Sequence, residues 1–187
     1  MWIGSHKGGV KEMTLLVLAY PELEPADRAW IERIRAEHDP RHIAVAAHVT
    51  LVFPVAGMDP DTLIADVARQ ASGVAPIPFV LRSALPFKDV TGRGTDVFLV
   101  PDEGFGALVR LHDRLYAGTL APALRLDIPS IPHITIGRSD DASLCKRLAD
   151  DLNAQPFAIH GRVTALDVVR RAEQAVRTIA RLPLTRP

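Results

Sequence analysis

Cysteine is nearly absent: Cys145 stands alone among 187 residues. An internal disulfide and a cysteine metal cluster are therefore both excluded, and a reducing, cytoplasmic setting is expected. Long apolar runs are also missing. The most hydrophobic stretch, residues 43–58, is 16 residues long and holds a histidine, a threonine and a proline, short of the roughly 20 apolar residues a membrane span needs. Neither sign of charge is in excess, with 22 Lys plus Arg against 22 Asp plus Glu. Long-range attraction to duplex nucleic acid or to an anionic membrane is not expected from such a balance. Aromatics are sparse at 5%, which leaves few obvious platforms for stacking the bases of a long RNA.

What is present suits one domain of ordinary size. Hydrophobic residues make up 48% and charged residues 24%, enough for a chain this long to bury about 70% of its unfolded surface. Residues 1–12 (MWIGSHKGGVKE), which include His6, lack the continuous apolar core of a signal peptide and read as a flexible leader. The fold is expected over residues 13–187, as a single two-lobed domain and a monomer.

Hydrophobic periodicity places the elements. Residues 14–20 (TLLVLAY) read as a buried strand and 26–37 as a helix that buries Trp30, Ile31 and Ile34 while Asp27, Glu32, Arg33, Arg35 and Glu37 stay wet. Asp59 as N-cap and Pro60 at the first helical position open a second helix, which Gly73 ends. Strands at 77–87 and 96–100 form a hairpin around the loop KDVTGRGT, residues 88–95. A third helix is predicted over 105–117, with His112 on its apolar face. A fourth starts at Ser139 as cap and buries Leu144, Cys145, Leu148 and Leu152. Strands at 157–169 and 176–184 follow, joined by a polar turn at 171–174. With the two strands considered next, this makes about seven strands and four helices, hairpin-rich and therefore antiparallel: an α+β domain.

Those two strands are the informative ones. Residues 48–54 read HVTLVFP and residues 132–138 read PHITIGR. Strand alternation puts His48, Thr50 and Val52 on one face with Val49, Leu51 and Phe53 opposite, and sets His133 with Thr135 against Ile134 and Ile136. Each strand thus shows an apolar side to a core and holds an imidazole beside a hydroxyl on its reverse. With seven histidines and ten threonines in the chain, chance supplies only about 0.4 His-x-Thr pairs, so two in matched strand contexts stand out. They lie 85 residues apart, near half the chain, and a pseudo-symmetric two-lobed arrangement brings them face to face. Facing imidazoles suit in-line phosphoryl transfer, since histidine supplies both a base and an acid near neutral pH. Threonine hydroxyls donate hydrogen bonds to non-bridging phosphate oxygens.

On HVTL at His48 and HITI at His133, with Pro132 before the second motif and Arg138 after it, the sequence resembles the two-histidine (2H) phosphoesterase superfamily, in particular its bacterial 2′-5′ RNA ligase-like and cyclic phosphodiesterase branch. The resemblance implies a bilobal α+β fold of two antiparallel sheets flanked by helices around a central cleft, with pseudo-two-fold symmetry. It implies metal-independent hydrolysis of 2′,3′-cyclic phosphates, or the related chemistry of 2′-5′-linked RNA, with no cofactor. Carried over residue by residue, His48 and His133 are the acid and base, and Thr50 and Thr135 hold the substrate phosphate with help from Arg138. Strict alternation, however, sets Arg138 on the face opposite His133. A small cyclic nucleotide or an RNA terminus fits this neutral chain better than a long duplex. From another class, a non-catalytic RNA-end or nucleotide-binding module is the alternative.

Other groups carry blander readings. His38 and His42 have the i, i+4 spacing of metal ligands, but Pro40 breaks the helix that would align them, so no metal site is expected. His160, Arg162 and Thr164 read as a solvated strand face. The 88–95 loop, with Lys88 and Arg93, reads as an ordinary hairpin tip that could also close over a phosphate.

Overall fold

The computed structural model describes residues 14–90, 92, 94–171 and 175–186. The leader with His6, Arg93 in the hairpin loop and positions 172–174 of the last turn lie outside the described residues. The described residues form two antiparallel sheets and four α-helices. The first sheet has the order β3-β1-β8-β9, from β3 (Val49–Ala56), β1 (Thr14–Ala19), β8 (Ala165–Arg171) and β9 (Val176–Pro183). The second has the order β2-β7-β4-β5-β6, from β2 (Glu22–Leu23), β7 (Ile159–Val163), β4 (Ile77–Lys88), β5 (Thr95–Glu103) and β6 (Ile134–Ser139). Both His-x-Thr strands, β3 and β6, are edge strands of their respective sheets.

Helices α1 (Pro25–His38), α2 (Pro60–Ala71), α3 (Phe105–Leu115) and α4 (Ala142–Asn153) cover the sheets. Asp59 caps α2 as its sequence signals, accepting a hydrogen bond from Thr62 N at 2.9 Å. Helix α4 begins later than expected. Ser139 closes β6 instead, and Asp141 is the cap, accepting from Ser143 N at 2.8 Å. The start three residues on turns Cys145 and Ala149 inward, whereas Leu144 is exposed and Leu148 and Leu152 are half-buried. The Cys145 thiol donates to Thr95 O, which ties α4 to β5.

The segment 157–169 is two strands, not one. The chain leaves the second sheet after β7, crosses at Thr164 and enters the first sheet as β8. Thr164 is held on both sides: its hydroxyl donates to Glu22 Oε1 at 3.0 Å and its carbonyl accepts from Leu184 N at 2.8 Å. Apolar alternation continues through the crossing, so periodicity alone does not show it. Arg35 also departs from expectation. It is buried at 1% exposure, not on the wet side of α1, because it enters an ion-pair network described below.

The apolar cores are dominated by aliphatic side chains of the strands, among them Leu15, Val17, Leu51, Val52, Leu81, Leu99, Ile134 and Ile136, with Leu63 and Leu108 from the helices. Among the described residues no helix is long and apolar enough to cross a membrane.

Candidate active site

An edge strand presents one row of backbone groups with no ladder partner, and in β3 helix α3 meets that row. His112 donates from Nδ1 to Leu51 O at 2.8 Å, and Tyr116 Oη accepts from Phe53 N at 3.0 Å. The expected core position of His112 thus has a definite use. His112 in the last turn of α3 and Tyr116 at its C-cap together fix the backbone of the first motif strand.

Both motif strands are bulged, and the bulges change which side chains reach the cleft. In the β1–β3 register, Val17 faces Val52 while Leu18 faces Thr50, and Leu15 faces Val55. Each step inserts an extra residue in β3. Leu51 and Val52 both turn inward at 0% exposure, and Phe53, expected in the core, lines the cleft half-buried. The following Pro54 has no N–H to offer a ladder, which suits a bulged edge. In β6 the register steps from Val97↔Gly137 to Phe98↔Thr135, so Ile136 is the extra residue. That slip reverses the alternation beyond it and brings Arg138 to the cleft, where strict alternation put it on the opposite face.

The cleft between the sheets has a volume of about 590 Å³, and His48, Thr50, His133, Thr135 and Arg138 all line it. The imidazoles are held alike. His48 Nδ1 donates to the carbonyl of Ala46 at 2.7 Å, and His133 Nδ1 donates to that of Ile131 at 2.5 Å. In each case the acceptor lies two residues back, so the ring's own turn selects the Nδ1–H tautomer and leaves Nε2 with its lone pair. The Thr50 and Thr135 hydroxyls have no hydrogen-bond partner among the described residues.

Both rings resist protonation. Burial pushes the His133 pKa down to about 4, against the opposing bond to Ile131 and with smaller lowering contributions from His48 and Arg41. Burial likewise lowers His48, assisted by Arg35 and Arg41 and opposed by its bond to Ala46 and by Asp39. Ring contacts explain the desolvation. Phe98 stacks on His133 with centroids 3.5 Å apart and Phe87 stacks on Phe98 at 5.2 Å, while Tyr20 meets His48 edge-on at 6.2 Å.

Charged residues that the sequence reading missed complete the wall. Arg35 binds Asp39 at 3.2 Å and Glu32 at 2.9 Å, and also donates to Val45 O. Arg41 joins Asp39 to Asp96. Arg138 joins Asp96, at 2.9 Å, to Asp89 of the hairpin loop, at 2.6 Å. Arg125 pairs with Asp127, and Arg171 comes from the end of β8. Among the described residues five arginines against three aspartates line the cleft, a local positive excess on a chain of zero net charge. Apart from Arg138, which follows the second motif, they come from segments far apart in sequence, so no motif announced them. The expected scarcity of aromatics also misleads, since three of the six phenylalanines, Phe53, Phe87 and Phe98, line this one cleft.

Elsewhere, His160 and Arg162 line a different groove with Glu22 and Glu103, and both are exposed. His38 is exposed, and His42 bonds to Asp39 O at 2.9 Å. Among the described residues no three His, Cys, Asp or Glu side chains come together as a metal-holding group.

A model of the 2′-5′ RNA ligase superfamily matches residues 21–175. Similar solved structures include LigT of E. coli in complex with NADP+ (21% identity, 94% of this chain and 100% of that chain, TM-score 0.56). TT0787 of Thermus thermophilus is similar at 19% identity over 92% of this chain and 98% of that chain, with a TM-score of 0.61. Usb1 of Kluyveromyces marxianus is similar at 12% identity over 94% and 100%, with a TM-score of 0.57. These likenesses confirm the fold implied by the motifs. No curated protein sequence matches the chain.

Proposed function

The chain belongs to the 2′-5′ RNA ligase superfamily, the two-histidine phosphoesterases, and from that premise we propose that it is a metal-independent phosphoesterase acting on 2′,3′-cyclic phosphate or 2′-5′-linked nucleotides and RNA ends. The observation that carries this reading is the matched pair of imidazoles. Both line one cleft, each with Nδ1 tied to a carbonyl two residues back, and each stands two residues before a threonine whose hydroxyl has no partner among the described residues. Crystal structures of E. coli LigT in complex with 3′-AMP and with NADP+ support a nucleotide as the substrate class.

In the proposed reaction, Nε2 of one neutral histidine removes a proton from water as the water oxygen bonds to phosphorus. The bond from phosphorus to the 3′ oxygen breaks, and Nε2–H of the other, protonated histidine gives that oxygen its proton. The product is a 2′-phosphate, and the two histidines exchange protonation states over one turnover. Thr50 and Thr135 donate to the non-bridging oxygens, where charge accumulates in the transition state. Arg138 and Arg41 add positive charge, with Asp96 fixing their orientation.

The depressed histidine pKa values fit a division of labour between protein and substrate. In the free protein both rings, lowered below the ordinary histidine value, favour the neutral form at pH 7, so the base is ready and the acid is not. An anionic phosphate placed between them stabilises an imidazolium and draws in the missing proton, so the acid is charged only when substrate is present. The direct test is incubation with each of the four nucleoside 2′,3′-cyclic monophosphates in excess EDTA, with identification of the product isomer. Chelator-resistant formation of the 2′-phosphate supports the proposal. Tight binding of nucleotides or RNA ends without turnover would favour a non-catalytic binding module.

A further inference from the structure

Four of the five arginines that line the cleft among the described residues are held by carboxylates: Arg35 by Glu32 and Asp39, Arg41 by Asp39 and Asp96, Arg138 by Asp96 and Asp89, and Arg125 by Asp127. Arg171 is the exception. It is exposed, lines the same cleft and has no acidic or hydrogen-bonding partner among the described residues.

Strand register locates it relative to the reaction centre. Leu18 of β1 lies opposite Thr50 on one side and opposite Asp167 on the other, whereas Thr14 lies opposite Arg171. Four residues separate Leu18 from Thr14, an even step, so Arg171 projects from the same face of the sheet as Thr50. That face is the cleft side. Leu15, Val17 and Ala19 of β1 point the other way into the main core, and Leu18 does not join them. At the rise of a strand, the Arg171 row is about 13 Å from the Thr50 row. Phe53, half-buried and lining the cleft, falls between the two levels, since the strand positions on either side of its bulge face Val17 and Leu15.

We propose that Arg171 binds a second phosphate, belonging to a single-stranded RNA whose terminal phosphate sits at Thr50 and Thr135, with Phe53 offering a stacking surface between them. The proposal rests on the phosphoesterase reading and narrows its substrate to an RNA terminus. A mononucleotide occupying the threonines has no upstream phosphodiester to give Arg171. A strand continuing along the sheet meets it with the first or second upstream phosphate, and aromatic stacking with a nearby cation is the usual way to hold single strands without reading sequence.

The test compares a trinucleotide ending in a 2′,3′-cyclic phosphate with the corresponding mononucleotide, in wild type, Arg171→Gln and Arg171→Lys. The ratio of kcat/KM for trinucleotide over mononucleotide is expected to fall about ten-fold in Arg171→Gln and to recover in part in Arg171→Lys. The salt dependence of trinucleotide kcat/KM is expected to lose a slope of about 0.7, the share of one single-strand phosphate contact. An unaltered ratio in a folded Arg171→Gln protein overturns the subsite. If wild type hydrolyses neither substrate, the phosphoesterase reading fails, and binding decides the subsite separately. The same trinucleotide with a terminal 2′-phosphate, followed by fluorescence anisotropy, then either loses affinity selectively in Arg171→Gln or refutes the role of Arg171.

Discussion

Arg41 and Arg138 share one carboxylate: Asp96 receives Arg41 Nη2 on Oδ1 at 2.7 Å and Arg138 Nη1 on Oδ2 at 2.9 Å. Asp96 is buried at 7% exposure and joins the loop after α1 to the strand of the second motif. Asp96→Asn keeps the shape but turns an amide N–H toward one of the guanidiniums. We expect a loss of about 2 kcal/mol in stability, below the range for a fully buried pair because Arg41 is half-exposed. Urea unfolding measures this, and kcat/KM should fall about ten-fold as Arg138 loses its anchor.

The state of His133 gives a second prediction. Its C–H resonances should titrate near pH 4 in the free protein, well below the ordinary value of about 6.5. Saturating inorganic phosphate should move the midpoint upward, because an anion beside the ring favours the imidazolium. NMR titration with and without phosphate checks both statements, and a midpoint near 6.5 without phosphate contradicts them.

The same depression makes stability depend on pH. Between about pH 6.5 and about pH 4 the unfolded chain binds a proton at this position that the folded protein does not, so the native state is fully favoured above the unfolded value. Stability should be lost as pH falls through that window. A His133→Asn variant should show a smaller drop in melting temperature between pH 7 and pH 4.5 than wild type.

Phe98 stacks flat on His133 at 3.5 Å. Replacing it with leucine removes the flat face and admits water, so the His133 pKa should rise and the acidic limb of the pH-rate profile should move to higher pH. The substitution should also cost about 1–2 kcal/mol of stability. An unmoved profile shows that the stack does not control the ring.

Tyr116 accepts the backbone N–H of Phe53 at 3.0 Å. Tyr116→Phe leaves that donor without its partner, with an expected loss of about 1–2 kcal/mol. Slower hydrogen exchange at Phe53 in wild type than in the variant would trace the loss to β3.

The sequence made the motif residues legible because they are local: His-x-Thr in an alternating strand needs no knowledge of partners. Helix α2 was equally plain, since Asp59 and Pro60 write its start into adjacent positions. What alternation could not give is the phase beyond a bulge. The extra residues at Leu51 and Ile136 exist only in the pairing with β1 and β5, and they decide that Phe53 and Arg138 face the cleft. The chain of charges from Arg35 through Asp39, Arg41, Asp96 and Arg138 to Asp89 was hidden for a similar reason. Its members come from a helix, two loops and two strands, and Arg35 has the spacing of an ordinary wet helical position.

The central claim is that His48 and His133 together carry the proton transfers. The most direct measurement is hydrolysis of a nucleoside 2′,3′-cyclic monophosphate in EDTA by wild type, His48→Ala and His133→Ala, each verified as folded. The account predicts chelator-resistant turnover in wild type and a loss of at least about 100-fold in either variant, consistent with removal of a general acid or base. Wild-type rates in either folded variant would contradict it.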